Sequence, residues 1–436
     1  MKKTLLTICL VWMCFSLSAQ KIIDLSGKWS FSIDRQDNGE KEKWFSHTLN
    51  DFINLPGSMP EKQKGDEVTA KTQWTGSLYD SSYYYNPYME KYRKEGNIKF
   101  PFFLTPDKHY VGAAWYQKEV NIPADWKGER ILLFLERPHI ETTVWVNGQK
   151  TGMQNSLCVP HQYDITRYVR PGKCTITIRV DNRIKEINVG PDSHSITDQT
   201  QGNWNGIVGR ICLQTTPKTY FDDIQIYPEP EQKLARVKVV IKGTGTAKVK
   251  LSAESFNTDK KHIVPAIQQE IKLNKGVTET EMVLPMGNDM LLWDEFHPAL
   301  YKLKAEVTNG KKTEIKEIQF GMRRFEIKGK WFYVNGRKTQ LRGTVENCDF
   351  PLTGYAPMDV ESWERVFRIC RSYGLNHMRF HSFCPPEAAF IAADRVGFYL
   401  QPEGPSWPNH GPKLGLGQPI DTYLMNETIA LTKEYG

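Results

Sequence analysis

Between Lys21 and about Leu341, apolar and polar residues alternate in short runs, and no stretch carries the period of a long helix. Alternation sends successive side chains to opposite faces of a strand, so each run has one apolar face that must pack against another sheet. Ile131–Leu135 is apolar throughout and reads as a buried strand. Thr143–Val146 leads into Asn147-Gly148, a pair that suits the type I′ hairpin turn because both residues tolerate positive φ. Asn309-Gly310 and Asn335-Gly336 repeat that signal, and Thr175–Val180 turns Ile176, Ile178 and Val180 inward. Many strands at this spacing predict sandwiches. A boundary falls near Pro217. From Phe221 a smaller β unit runs through Val237–Ile241, Lys248–Ala253 and Tyr301–Thr308, a size that suits an immunoglobulin-like sandwich.

After Asn335-Gly336 the rhythm changes. Gln340–Glu346 reads as a strand, and Asp359 as the cap of a helix over Val360–Tyr373 stopped by Gly374. Asn376–His381 is a second strand. Pro385-Pro386 opens a helix to Val396, stopped by Gly397, then Phe398–Glu403 is a third strand and Pro419–Tyr435 a third helix. This order with short links predicts a parallel sheet and the start of a (β/α)8 barrel. Three of eight units are present before Gly436, so the reading is a fragment or the stump of a longer gene.

The three strands share a polar parity. Arg342, Thr344 and Glu346 alternate with Leu341 and Val345; His377, Arg379 and His381 with Met378 and Phe380; Tyr399, Gln401 and Glu403 with Phe398 and Leu400. The apolar set is expected on the helices and the polar set inside the barrel. Charged residues at the C-terminal ends of barrel strands mark an active site. The competing reading is a buried ion-pair network such as Arg379–Glu403, with Glu346 merely pairing with Arg379 and His381 a satisfied core histidine. Trp407 and His410 fall in the Gly404–Pro419 loop on that same face.

Other features bound the class. Lys2 and Lys3, an apolar run from Leu5 to Leu17 and Ser18-Ala19 read as a secretory leader cleaved near Ala19. No later segment is long and apolar enough for a membrane helix. The formal charge is +7 without a dense basic run, which argues against nucleic acid. Beyond the leader, Cys158, Cys174, Cys212, Cys348, Cys370 and Cys384 show no metal-ligand spacing and are read as buried thiols, with a Cys158–Cys174 or Cys348–Cys384 bridge left open. Trp74–Tyr116 is dense in aromatic residues, Tyr79, Phe102 and Phe103 among them. Flat rings with polar tips suit sugar faces, but Pro87, Pro101 and Pro106 favour an insertion folding on itself. H-E-x-x-H, G-x-S-x-G and G-x-x-x-x-G-K are all absent.

Several stretches, in order, resemble glycoside hydrolase family 2, the group of β-galactosidases, β-glucuronidases and β-mannosidases. They are Leu25–Phe31, Ala114–Lys118, Val144–Gly148, Tyr163–Thr166, Trp204–Arg210, Pro298–Tyr301, Phe320–Arg323 and Phe332–Gly336 leading to Leu341–Gly343. After the leader over 1–19, the resemblance implies a jelly-roll sugar-binding domain over 20–218, an immunoglobulin-like sandwich over 219–321 and the first part of a TIM-barrel catalytic domain over 322–436. It implies a secreted, exo-acting, retaining hydrolase of oligo- or polysaccharide, with a two-Glu mechanism and no cofactor or metal, and it is compatible with a homo-oligomer. Both catalytic glutamates belong to strands four and seven, beyond Gly436, so this stretch alone is expected to be inactive. Arg379 matches the strand-two arginine that orients the nucleophile, and Glu403 the strand-three glutamate. Glu346, Asn347, His381 and Trp407 complete the expected substrate-binding set, with Trp407 either stacking on a sugar ring or capping the barrel. His381-Ser382 stands inverted against the family pattern, Glu346-Asn347-Cys348 replaces Asn-x-His, and Pro402 replaces Asp, which points to a divergent subgroup. The alternative is a non-catalytic carbohydrate-binding protein with a vestigial barrel.

Overall fold

The computed structural model describes residues 20–76, 82–100, 104–200, 202–408 and 411–436. The leader, Tyr79, Pro101, Phe102, Phe103 and His410 lie outside the described residues. The first unit packs two antiparallel sheets. One has the strand order Ile22–Asp24, Gly206–Thr216, Arg130–His139, His161–Asp164, with Gly57–Ser58 added beside Gly206. The other runs Gln149–Gln154, Glu141–Val146, Gly172–Asp181, Ala113–Ile122, Gly27–Asp34, Asp51–Leu55. Inward-facing Ile176, Ile178 and Val180 meet Leu133, Leu135 and Leu213 in the core, all fully buried. The outer face of the six-stranded sheet is covered too. Trp115 and Trp145 sit under Leu49, Trp44 and Phe45, and the Phe45 ring stacks on Trp145 at 5.2 Å. The aromatic insertion largely packs on itself, with Phe100 against Trp74 and Tyr83, while Tyr85 and Tyr88 stay exposed.

Asp181, at the end of Gly172–Asp181, is fully buried. It accepts from the Arg183 backbone N–H at 3.0 Å, from the Arg183 side chain at 2.6 and 2.9 Å, and from Arg179 at 3.0 Å. Burial alone would raise its pKa, but these donors and Lys185 pull it well below the usual carboxylate range. Removing one member of a buried ion cluster strands the others. Asp181→Ala is therefore expected to cost about 3 kcal/mol at pH 7. Because the folded pKa is depressed, the Asp181 contribution is present above pH ~4 and lost as pH falls further. Urea melts at pH 7 and pH 3 should show the wild-type advantage shrinking at the lower pH.

The second unit is one sheet folded over on itself. Leu234–Phe256 and Ile263–Pro285 form a hairpin with arms of 23 residues each. The first half of Leu234–Phe256 also pairs with Tyr220–Glu229 and the second half with Leu300–Asn309, followed by Lys312–Phe320. The sequence reading treated Val237–Ile241 and Lys248–Ala253 as separate strands; they are the two halves of this bent one. The ladder slips between Gly243 and Gly245. Gly243 has φ 156°, and a Cβ there would meet Thr219 Oγ1 at 2.5 Å. The odd-numbered residues keep one face across the bend, so Val237, Val239, Ile241, Val249 and Leu251 are all fully buried. Asn147-Gly148 and Asn335-Gly336 occupy positive-φ hairpin turns as expected. At the third site Asn309 pairs with Lys312, so the two-residue loop is Gly310-Lys311.

A small antiparallel sheet, Phe325–Lys328, Trp331–Val334 and Arg337–Thr339, leads to three parallel strands, Gly343–Glu346, His377–Phe380 and Tyr399–Gln401. Helices Val360–Ser372, Glu387–Val396 and Pro419–Tyr435 follow the strands in turn. Asp359 caps the first by accepting from the Ser362 N–H at 2.8 Å. Gly374 and Gly397 end the first two at φ 80° and 76°. Trp363 and Phe367 of the first helix meet Phe380 and Phe398 of the sheet. No helix among the described residues is long and apolar enough to cross a membrane.

The shared parity holds for two strands and fails for the first. Arg379 pairs with Gln401, but it also pairs with Val345, while Glu346 is level with the buried Phe380. Paired residues of a parallel ladder point the same way, so Glu346 does not share the Arg379 face, and Val345 is 47% exposed. The Glu346 carboxylate is satisfied locally, accepting from the N–H groups of Cys348 at 2.8 Å and Asp349 at 3.3 Å. Burial raises its pKa despite these donors.

Candidate functional site at the ends of the parallel strands

Arg379 projects from the second parallel strand, and Glu403 stands just past the third. Arg379 Nε donates to Glu403 Oε1 at 2.5 Å, and the Ser382 backbone N–H donates to Glu403 Oε2 at 2.7 Å. Both carboxylate oxygens are therefore held. Burial pushes the Glu403 pKa up, but Arg379 and the Ser382 N–H outweigh it and the net shift is downward. Among the described residues only the Nε of Arg379 is bonded, which leaves its two Nη groups for a further partner. Side-chain exposures of 38% and 26% keep the pair in reach of solvent.

The first sandwich supplies the other wall. Its segment 189–195 reaches over the strand ends. Ser195 Oγ donates to Ser382 O at 2.8 Å, and Ser193 Oγ to Pro405 O at 2.7 Å. The His194 backbone N–H donates to Ser382 Oγ at 2.9 Å, and His194 Nδ1 lies 2.8 Å from the same oxygen. The His194 ring lies 4.2 Å from that of His381 and stacks on Trp407 at 5.4 Å with 9° between planes. The Trp407 N–H donates to Val189 O at 3.0 Å. Gly190 permits that approach, since a Cβ there would lie 2.2 Å from Trp407 O. Burial, then the neighbouring His381 ring, lowers the His194 pKa to about 4. Burial and Arg379 lower that of His381. At neutral pH the wall is thus one cation, one anion and two uncharged imidazoles.

Arg379, His381, Glu403 and Trp407 come together here. Glu346 ends the first strand on the face of Phe380, away from Arg379, and Asn347 follows it in the turn. His194, Ser193 and Ser195 were not singled out from sequence, and Ser382 was noted only as half of the inverted His381-Ser382 pair. The sequence carried no signal for the three: the run Asp192–Asp198 is polar except for Ile196, and its burial, which requires partners elsewhere in the fold, shows only in the structure.

Comparison with known proteins bears on the first two units. A family model described as "Glycosyl hydrolases family 2, sugar binding domain" matches residues 22–217, and one described as "Glycosyl hydrolases family 2" matches residues 219–323. The chain belongs to glycosyl hydrolase family 2. The family 2 chain is 24% identical over 417 residues to the β-glucuronidase of Homo sapiens, covering 88% of this chain and 57% of that protein. It is 24% identical over 334 residues to the β-galactosidase of Thermoanaerobacter pseudethanolicus, covering 72% of this chain and 42% of that protein. Among solved structures, a β-glucuronidase from Ruminococcus gnavus superposes with a TM-score of 0.68 at 20% identity, covering 95% of this chain and 63% of that one. The family 2 chain thus spans less than two thirds of each of these relatives.

Proposed function

We propose that this chain forms the sugar-recognition domains and the opening of the catalytic (β/α)8 barrel of a secreted, exo-acting, retaining β-glycoside hydrolase. In this reading residues 20–218 are the jelly-roll domain, 219–321 the immunoglobulin-like domain and 322–436 the first part of the barrel. The observation that carries it is the Arg379–Glu403 pair, seated at the C-terminal ends of parallel strands and roofed by His194 of the first sandwich. A cation with unclaimed donors in a half-open cleft suits a carboxylate partner, and the partner assigned to it is the nucleophilic glutamate of a later strand.

In that mechanism one glutamic acid protonates the leaving oxygen while the other glutamate attacks the anomeric carbon; water then releases the sugar from the covalent intermediate. Arg379 orients the nucleophile and lowers its tendency to take up a proton. Glu403 fixes the Arg379 fork. His381 and Trp407 shape the wall, and Glu346 acts through its turn, holding Asn347 at the rim. Two inversions of the anomeric carbon give net retention. For the complete gene product acting on a β-glycoside, proton NMR should therefore show the β-anomer of the free sugar first, with the α-anomer appearing only by mutarotation. The α-anomer appearing first would overturn the retaining mechanism, and binding of sugar without release would favour a carbohydrate-binding protein.

A further inference from the structure

Ser193, His194 and Ser195 of the first sandwich reach the loops after the second and third parallel strands, and the outer two act as pins. Ser193 Oγ donates to Pro405 O at 2.7 Å and Ser195 Oγ to Ser382 O at 2.8 Å. His194 is held between them. Its backbone N–H donates to Ser382 Oγ at 2.9 Å, its Nδ1 lies 2.8 Å from the same oxygen, and its ring stacks on Trp407. Ser382 makes these contacts from the left-handed region, at φ 51°. A non-glycine residue kept there is strained, and such strain gathers at ligand sites where the surroundings over-determine it. Here Glu403, His194 and Ser195 all bond to that one residue.

The hydrogen-bond network places the ring proton. Ser382 Oγ uses one lone pair on the His194 N–H, and among the described residues the acceptor in reach of its own hydrogen is His194 Nδ1. Nδ1 then accepts, and the ring proton sits on Nε2. Burial keeps the ring uncharged at neutral pH. Nε2 has no hydrogen-bond partner among the described residues, and although His194 is only 7% exposed, Nε2 is not sealed from solvent. It is an unclaimed donor on a ring held by its other nitrogen, in the same wall as His381, whose ring lies 4.2 Å away. We propose that His194 is a specificity-determining residue of the site, donating from Nε2 to one hydroxyl of the bound sugar, and that Ser382 is the positioning residue that fixes its tautomer. The inference rests on the hydrolase reading above and adds to it a sugar contact supplied by the first sandwich. A sugar lacking that hydroxyl leaves the N–H unpaired in a water-poor wall, which is how such a donor discriminates.

The test is a cycle between residue and ligand in the complete gene product. kcat/KM is measured for the wild type and His194→Ala on the chromogenic β-glycoside cleaved fastest and on its single-deoxy analogues. Loss of one particular hydroxyl should lower kcat/KM of the wild type roughly 10-fold and that of His194→Ala hardly at all, while the other hydroxyls cost both proteins alike. His194→Gln, whose amide N–H reaches about as far as Nε2, should restore part of that dependence, and the shorter His194→Asn should not. Ser382→Ala should weaken the same dependence; the full wild-type dependence in Ser382→Ala would remove its positioning role. A structural pin lowers kcat/KM by one common factor for every analogue in His194→Ala, and that result would overturn the proposal. Should His194→Ala fail to fold, equal dependence in His194→Gln and His194→Asn would overturn it. If the complete product releases sugar from no β-glycoside, the hydrolase reading fails by itself. Calorimetry of galactose, glucuronic acid, mannose and their deoxy forms then runs the same cycle on binding, and equal losses in wild type and His194→Ala, or no binding by the wild type, would overturn the His194 contact.

Discussion

Arg379→Ala in the complete gene product should cut turnover at least ~100-fold, the scale of removing a preorganised electrostatic donor from an active site. It should barely change stability. The Arg379–Glu403 pair is partly open to solvent, with side-chain exposures of 38% and 26%, so as a bridge alone it is worth only ~0–1 kcal/mol. Glu403 also keeps its second anchor, the Ser382 N–H at 2.7 Å, when Arg379 is gone. A purely structural pair gives the opposite pattern, a lower melting temperature with near-normal activity in the molecules that stay folded. Arg379→Lys sharpens the distinction. It keeps the charge and loses the planar fork, so it should recover only part of the rate. Turnover on a chromogenic β-glycoside and a thermal melt of the same preparation read both effects, and normal turnover in a folded Arg379→Ala protein would remove Arg379 from the site.

Much of this architecture was legible because local chemistry and fold agree. Asp359, Gly374, Pro386 and Gly397 punctuate the two helices where the chain begins and ends them. Alternation located the strands of both β units. What was misread depends on registers and distant partners. The face of Glu346 follows from its pairing with Phe380, and a one-residue difference in ladder register reverses every side chain on a strand. Only Val345 stood against it inside the strand, too little pattern to fix the face. Val237–Ile241 and Lys248–Ala253 were read as two strands and are instead the two halves of one, bent at Gly243 and Gly245. His194 was invisible because its partners, Ser382, His381 and Trp407, come from another unit of the chain. Trp115, at the end of the aromatic-dense stretch, has a plainer use than ligand stacking, since with Trp145, Phe45 and Trp44 it covers the outer face of a sheet that would otherwise meet water.

The proposed division of labour places the recognition wall within residues 20–436 and the two catalytic glutamates on later barrel strands. General acid and nucleophile each contribute orders of magnitude to the rate. The measurement that bears on this most directly is a side-by-side assay of purified residues 20–436 and the complete gene product against a panel of chromogenic β-galactosides, β-glucuronides and β-mannosides. The account predicts release by the complete product on at least one substrate and no release above background by residues 20–436. Turnover by residues 20–436 that survives purification from a glycosidase-deficient host would contradict it, because the catalytic carboxylates would then have to lie among the residues described here.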